Sequence, residues 1–464
     1  MQIQFHGAAQ EVTGSQFIVA VNGKQLLIDC GLYQGRREEA FVRNRTFSFD
    51  PARVDAAVLT HAHIDHCGNL PNLVKSGFTG PIYTTPASAH LADILLRDSA
   101  HIQESDAEYL NQKNHRDSQP PVVPLYTLAD AERVTPHFQR MDYNAAFQPI
   151  PGVTVTLVDA GHILGSAAAI LGIVENGKHS RVWFSGDIGQ RDMPLLRDPV
   201  LPRDADALVM ECTYGDTLHR DPRAAFDELR KILVRTIERG GKVIIPAFAV
   251  GRTQELVYFI HQGIDDGQIP PIPVYVDSPL AVEASKVFSA HPECFDHETL
   301  EFIREGRHPA LNFDQLTYVS SVEQSKSLNG MKEAMVIISA SGMAETGRIL
   351  HHLKNNIEDP KNTVLIVSYQ APNTLGRRLA EGQPEVRIFG EMYTVRAEVT
   401  NIDGFSAHAG QEMLLNYVQS TRDCVKQVML VHGEEKPAQV FRGLLQKAGI
   451  EHVAYPPLHL SIEV

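Results

Sequence analysis

Short apolar runs separated by turn residues fill the first third of the chain. Gln16–Val21 and Gln25–Asp29 flank Asn22-Gly23, a dipeptide suited to a two-residue type I′ hairpin turn. Ala56–Thr60 reads as a buried strand and runs directly into a polar cluster. Apolar positions recur at helical spacing from Pro86 to about Gln112, with Pro86 suited to the first helical turn. A Pro-rich stretch, residues 119–124, then reads as a surface loop. Strand-like runs return at Val153–Asp159, Ala167–Val174 and Arg181–Ser185.

From about Ala207 the rhythm changes. The strand patterns Lys242–Pro246, Ile272–Asp277, Met335–Ala340 and Thr363–Tyr369 are each followed by a helical pattern. Those helices are Thr253–Gln262, Pro279–Phe288, Thr346–Asn356 and Thr374–Glu381. Such a βαβ series predicts a mostly parallel sheet covered by helices. Short strands resume after about Arg396. A strand at Gln427–Val431, a helix and a last strand near Ile450–Ala454 close the pattern. The simplest organisation is one domain, residues 1–207 and 396–464, interrupted by another at 208–395.

Composition narrows the class. The chain has 464 residues, 43% of them hydrophobic, enough for buried cores. Its five cysteines are dispersed and form no CxxC pair, which argues against a disulfide framework or a cysteine-based zinc site. The N-terminus carries no secretory pattern and no run is long enough to span a membrane, so a cytoplasmic protein is expected. The net charge of -14 speaks against binding nucleic acid over the whole surface. It leaves room for a local basic loop, for which Arg36, Arg37, Arg43 and Arg45 are candidates.

The chemistry sits at strand ends. His61, His63, Asp65 and His66 crowd into six residues after the Ala56–Thr60 run. Alternate residues of an extended segment point the same way, so His61 and His63 can converge on one ion. Asp65 and His66 follow in a turning segment that can serve a second. Imidazole with carboxylate suits zinc or a similar first-row metal. His162, Asp187 and His432 each follow another apolar strand beside a glycine, and His408 lies in Phe405-Ser-Ala-His. Asp29 ends Leu26-Leu-Ile and is placed to hold a ligand histidine from behind.

These motifs resemble the metallo-β-lactamase superfamily and, within it, the β-CASP nucleic-acid hydrolases. The closer resemblance rests on Glu211 in Glu-Cys-Thr-Tyr-Gly, His408 in Phe-Ser-Ala-His and His432 in Val-His-Gly-Glu. The segments Gly7–Ser15 and Ala247–Glu255 also match. The chain looks most like bacterial relatives of the endonuclease subunit that cleaves pre-mRNA 3′ ends. The implied fold is α/β: an αββα sandwich interrupted by a β-CASP domain whose mostly parallel sheet is flanked by helices.

The resemblance implies two zinc ions. His61, His63 and His162 would hold one; Asp65, His66 and His432 the other; Asp187 would bridge them, with Asp29 behind. It implies that His408 is the general acid, supported by Glu211, and that a metal-activated hydroxide cuts RNA to leave 5′-phosphate and 3′-hydroxyl ends. A histidine at position 432 is the pattern of the RNA-cleaving members. Single-stranded RNA is the expected partner, a homodimer is left open, and no membrane is involved. Ser406, Arg252, Ser341, Gly342, Arg377 and Arg378 are candidate phosphate contacts, Ser341 and Gly342 because they precede a helix start. Gly410 departs from the family pattern, which has Asp there, and predicts a weaker helix cap. Three alternatives remain: a 5′-to-3′ exoribonuclease like RNase J, a non-catalytic RNA-binding subunit, and a small-molecule or thioester hydrolase on the same fold.

Overall fold

A computed structural model describes residues 1–114, 121–304, 311–371, 373–402 and 404–464; Gln119 and Pro120 of the expected surface loop lie outside it. The chain forms two compact units. One comprises Met1–Arg191, Asp198–Leu218 and His408–Val464, the other Asp192–Arg197 and His219–Ala407.

The first unit is built on two seven-stranded sheets. One runs in the order Ser461–Glu463, Gln2–Gly7, Gln16–Val21, Lys24–Ile28, Ala56–Val58, Ile82–Thr84, Phe138–Arg140. The other runs Val453–Ala454, Gln427–Val431, Ala207–Glu211, Lys178–Phe184, Ala167–Glu175, Val153–Asp159, Ala146–Ile150. Their inward side chains form one core: Ile3, Phe5, Phe17 and Val58 from the first sheet meet Val155, Leu171, Phe184 and Val431 from the second. This is the inner half of an αββα sandwich. On the outer face of the second sheet, Trp183, Leu208 and Leu430 pack against Leu414, Tyr417 and Phe441 of the helices Gln411–Gln419 and Glu435–Lys447. The helix Pro86–Asn114 contacts the first sheet at Phe138–Arg140. The hairpin closes as expected: Val21 pairs with Lys24, and Asn22 and Gly23 take φ values of 49° and 74°. The strand Ser461–Glu463 was not expected; it pairs with Gln2–Gln4 and ties the two ends of the chain together.

The second unit has a six-stranded sheet in the order Leu316–Tyr318, Val274–Val276, Val336–Ser339, Val243–Pro246, Thr363–Ile366, Glu398–Asn401. Every neighbouring pair is parallel. Helices Arg252–Asp265, Pro279–Ala290, Ile349–Asn356 and Leu375–Ala380 follow four of these strands. The third helix begins at Ile349 rather than Thr346, because Ala344 and Gly347 hold left-handed backbone (φ 55° and 83°) that a helix cannot continue.

The units part later in sequence than the pattern suggested. Ala207–Glu211 is a central strand of the first unit, paired in parallel with both Lys178–Phe184 and Gln427–Val431, so the chain leaves that unit only after Leu218. Glu398–Asn401 joins the second unit's sheet, which delays the return to His408.

Candidate metal centre

Strand ends of both sheets in the first unit supply the polar side chains. Ala56–Val58 leads to His61 and His63; a single helical turn, Ile64–Cys67, carries Asp65 and His66. His162 follows Val153–Asp159, Asp187 follows Lys178–Phe184, Glu211 ends Ala207–Glu211, and His432 follows Gln427–Val431. Two glycines allow the loops to close. A Cβ on Gly31 would fall 1.6 Å from the Asp65 carbonyl oxygen, and one on Gly189 would fall 1.8 Å from that of Gly161, beside His162.

Among the described residues, three groupings can offer ligand atoms to one ion: His61–His63–His162–Asp187, Asp65–His66–His432, and Asp187–His408–His432. In the first, His63 Nδ1 lies 3.2 Å from His61 Nε2 and 3.1 Å from His162 Nε2. Burial pushes the pKa of His61 down to about 3 and that of His63 down to about 4, and holds that of His162 well below its ordinary value. Neutral rings so placed carry at most one N–H each, and a cation among the three inward nitrogens satisfies all of them at once.

Asp187 faces both groupings. Its Oδ2 is 3.5 Å from His61 Nε2 and from His162 Nε2; its Oδ1 is 3.2 Å from His66 Nε2 and 3.7 Å from His432 Nε2. Oδ1 is buried, and despite the short approach of His66 it has no well-aligned hydrogen-bond donor. A buried carboxylate oxygen without a donor is costly, so this atom also fits a cation. Asp65 Oδ2 lies 3.3 Å from His432 Nε2. The residues present therefore fit a bound metal.

The distal ring nitrogens are fixed by other contacts. His66 Nδ1 is 2.8 Å from Asp29 Oδ2, His61 Nδ1 is 3.1 Å from Thr60 Oγ1, and His432 Nδ1 is 3.0 Å from Thr213 Oγ1. Asp29 in turn accepts from the Thr60 amide (2.7 Å) and hydroxyl (2.8 Å). Such contacts set which nitrogen presents its lone pair inward. Thr60 and Thr213 were not singled out from the sequence; a hydroxyl next to a ligand motif is too common to stand out. The Gly7–Ser15 segment also acquires a local purpose: the Ala8 carbonyl accepts from the His432 amide, and the Ser15 amide donates to the Asp65 carbonyl.

Glu211 is fully buried, and its carboxylate lies 3.1 and 3.2 Å from His408 Nδ1. It also accepts from the Ile188 amide at 2.6 Å, while the Ile188 carbonyl accepts from the Ala409 amide at 2.7 Å. The residue after Asp187 thus pins both partners. Burial opposes protonation of His408, but Glu211 and Asp187 outweigh it and raise the pKa to about 9. The side chain is 22% exposed, the accessibility a proton donor needs. Gly410 caps the helix Gln411–Gln419 with no side-chain hydrogen bond.

The candidate phosphate contacts lie in the second unit and fare unevenly. Arg252 is 6% exposed, with its guanidinium bonded to Glu255 and 5.4 Å from the Phe405 ring centroid. This contradicts a role in binding phosphate, because a buried, paired cation does not reach solvent. Arg377 is exposed and bonded to Glu381; Arg378 donates to the Asn373 carbonyl. Ser341 and Gly342 stand in the loop after Val336–Ser339, and Ser406 is half-buried in the segment before His408. The expected basic loop is largely a helix, Arg37–Arg45. In it Arg43 is neutralised by Glu11 and stacked on Tyr33, and Arg45 donates to the Val123 carbonyl. Among the described residues no helix is long and apolar enough to cross a membrane.

Comparison with known proteins agrees with this geometry. Residues 10–247 match the metallo-beta-lactamase superfamily, 253–379 the Beta-Casp domain, and 392–456 the Zn-dependent metallo-hydrolase RNA specificity domain. The chain is 37% identical to ribonuclease TTHA0252 of Thermus thermophilus over 97% of each chain. It is 32% identical to the transcription termination factor FttA of Methanocaldococcus jannaschii over 99% of this chain and 71% of that one. It is 34% identical to FttA of Pyrococcus horikoshii over 96% and 68%. A solved structure of a protein of unknown function from Enterococcus faecalis shares the fold, with a TM-score of 0.56 at 13% identity, covering 100% of this chain and 99% of that one. With the paired His/Asp clusters at its strand ends, the chain belongs to the metallo-β-lactamase superfamily and, within it, to the β-CASP metallo-hydrolase ribonuclease family.

Proposed function

We propose that this protein hydrolyses RNA endonucleolytically, with two zinc ions as its metals, leaving 5′-phosphate and 3′-hydroxyl ends. The observation that carries the reading is Asp187, whose two oxygens face two separate histidine groupings while His408 and Glu211 stand alongside. His61, His63 and His162 would hold one ion, Asp65, His66 and His432 the other, and Asp187 both. The nitrogen and oxygen donors suit zinc. When bound, the ions supply an activated water and neutralise charge on the phosphoryl group.

The chain's own residues do the rest. His408 delivers a proton to the leaving oxygen, and Glu211 keeps the imidazolium populated and correctly turned. We assign His408 as donor rather than ligand because its ring, 22% exposed, can meet a leaving group, whereas His61, His66, His162 and His432 are buried. Asp29 and Thr60 hold His66 and His61 in register. Ser341, Gly342, Ser406, Arg377 and Arg378 stand as phosphate contacts. RNA as substrate is supported by the RNA specificity domain match and by the ribonuclease relative. All five cysteines are free thiols, which suits the cytoplasm.

A circular RNA tests this. Metal-loaded protein is expected to open the circle. A circle left intact while linear RNA is degraded from its 5′ end would assign the exonuclease instead. No cleavage of either would leave a binding subunit.

A further inference from the structure

The turn that follows Glu211 touches two segments of the site. Thr213 Oγ1 lies 3.0 Å from His432 Nδ1 and donates to the His432 carbonyl at 3.0 Å. Tyr214 pairs with Gly410 in an isolated parallel β-bridge. The Gly215 carbonyl accepts from the Gln411 side-chain amide at 2.7 Å, and the Thr217 carbonyl accepts from the Gln411 backbone amide at 2.9 Å. The turn is closed on itself: the Gly215 and Thr217 amides donate to the Cys212 and Tyr214 carbonyls, each at 3.1 Å. It also lies flat on the helix Glu435–Lys447. A Cβ on Gly215 would fall 2.7 Å from the Phe441 Cβ and from the Pro437 carbonyl oxygen.

The segment held by this turn carries His408. It stands three residues before Gln411, where the helix Gln411–Gln419 begins. The Gly410 cap offers no side chain to the first-turn amides, and helix ends left so fray. Fraying here would carry His408 away from Glu211. Backbone contacts tie Ala409 to Ile188, Gly410 to Tyr214 and Gln411 to Thr217. The Gln411 side chain, half-buried, adds a further link that depends on residue type. Its acceptor cannot drift, because Gly215 is wedged against Phe441 and Pro437. A donor fixed to an immobile carbonyl holds the helix start in one place, and a displacement of about 1 Å at a reacting group is costly.

We propose that Gln411 is a positioning residue for the proton donor: by fastening its helix start to Gly215, it keeps His408 aligned with the leaving oxygen. The proposal rests on the reading of His408 as general acid and extends it to the residue that aims the ring. In that reaction the water oxygen bonds to phosphorus, the bond from phosphorus to the ribose 3′ oxygen breaks, and that oxygen takes the His408 proton. A ribose alkoxide is strongly basic and needs the proton. A p-nitrophenolate is weakly basic and departs without it. Misalignment of His408 therefore has a signature that a general loss of structure or metal lacks.

The test uses metal-loaded full-length protein and two substrates, a labelled single-stranded RNA and bis(p-nitrophenyl) phosphate. The ester reports the fold and the metals; RNA reports the proton donor as well. Gln411→Ala should lower kcat on RNA with KM unchanged. The ratio of RNA to ester turnover should fall about tenfold, short of the ~10²–10⁴-fold of a lost general acid. Gln411→Glu keeps the shape but presents no N–H to Gly215 at neutral pH, and should lower the ratio likewise. Loss of fold or metal would scale both turnovers and leave the ratio alone. His408→Ala, run alongside, should lower the ratio further. An unchanged ratio in either Gln411 variant overturns the proposal, whether both turnovers persist or both fall together. If His408→Ala lowers the ratio in that case, only the role of Gln411 falls. If His408→Ala leaves the ratio unchanged, the proton-donor reading falls with it.

Discussion

Replacing Glu211 by Gln tests the proton-donor assignment with the least change in shape. The side chain is fully buried and holds two partners, the Ile188 amide and His408 Nδ1. Gln keeps an acceptor for Ile188 but turns a neutral amide towards His408. With Glu211 present, the His408 pKa is raised to about 9, so the ring is almost wholly protonated at pH 7.5. Without the carboxylate, a return even to the ordinary value of ~6.5 leaves about a tenth protonated. Burial, the largest influence on this ring, acts in the same direction and takes the fraction lower. An amide N–H facing Nδ1 also cannot accept from the doubly protonated ring and so disfavours the acid form. Population alone accounts for ~10-fold, and misorientation should bring the loss to ~10²-fold at pH 7.5, within the range for a displaced general acid. The assay is single-turnover cleavage of a labelled RNA from pH 5.5 to 8.5, with bound metal measured on the same samples. The variant should keep its metal and recover activity as pH falls. Activity within threefold of the parent at pH 7.5, or an unshifted profile, would refute the reasoning.

Other expectations concern the same unit. Asp187→Ala should abolish cleavage and lower metal content, because it removes the carboxylate that faces both groupings, whereas His408→Ala should retain metal and cut ~10²–10⁴-fold more slowly. Metal analysis separates the two; loss of metal from His408→Ala would make that residue a ligand. His6 should contribute an acid-sensitive element of stability. Burial, with a smaller effect from His459, lowers its pKa to about 4, below the unfolded value of ~6.5. Its contribution is therefore present above pH ~6.5 and lost as pH falls towards 4. His6→Phe should narrow the stability gap to the parent as pH drops through that window. A gap that does not change with pH, followed by thermal unfolding, would remove His6 from that role.

Local pattern carries much of this protein. The ligand types and their grouping are legible because a strand end compresses four of them into His61–His66, and because His162, Asp187 and His432 each follow an apolar run. The βαβ series is legible because strand and helix periods differ. The sequence also announces Asp29 as a buried acid after Leu26-Leu-Ile, though not the histidine it serves.

Tertiary structure decided what pattern cannot. That Asp187 faces two groupings depends on where the ends of Ala56–Val58, Val153–Asp159 and Gln427–Val431 lie in space, and those strands are distant in sequence. That Glu211 meets His408 depends on Ile188 bonding to both segments. Arg252 shows the limit most plainly: a charged residue at a helix start reads as an anion contact, yet the fold buries it against Glu255 and Phe405. Burial and pairing are properties of the packed chain, and no spacing rule encodes them. Residue types fix what chemistry is available, and only the packing of remote segments fixes which side chains face one another and which face water.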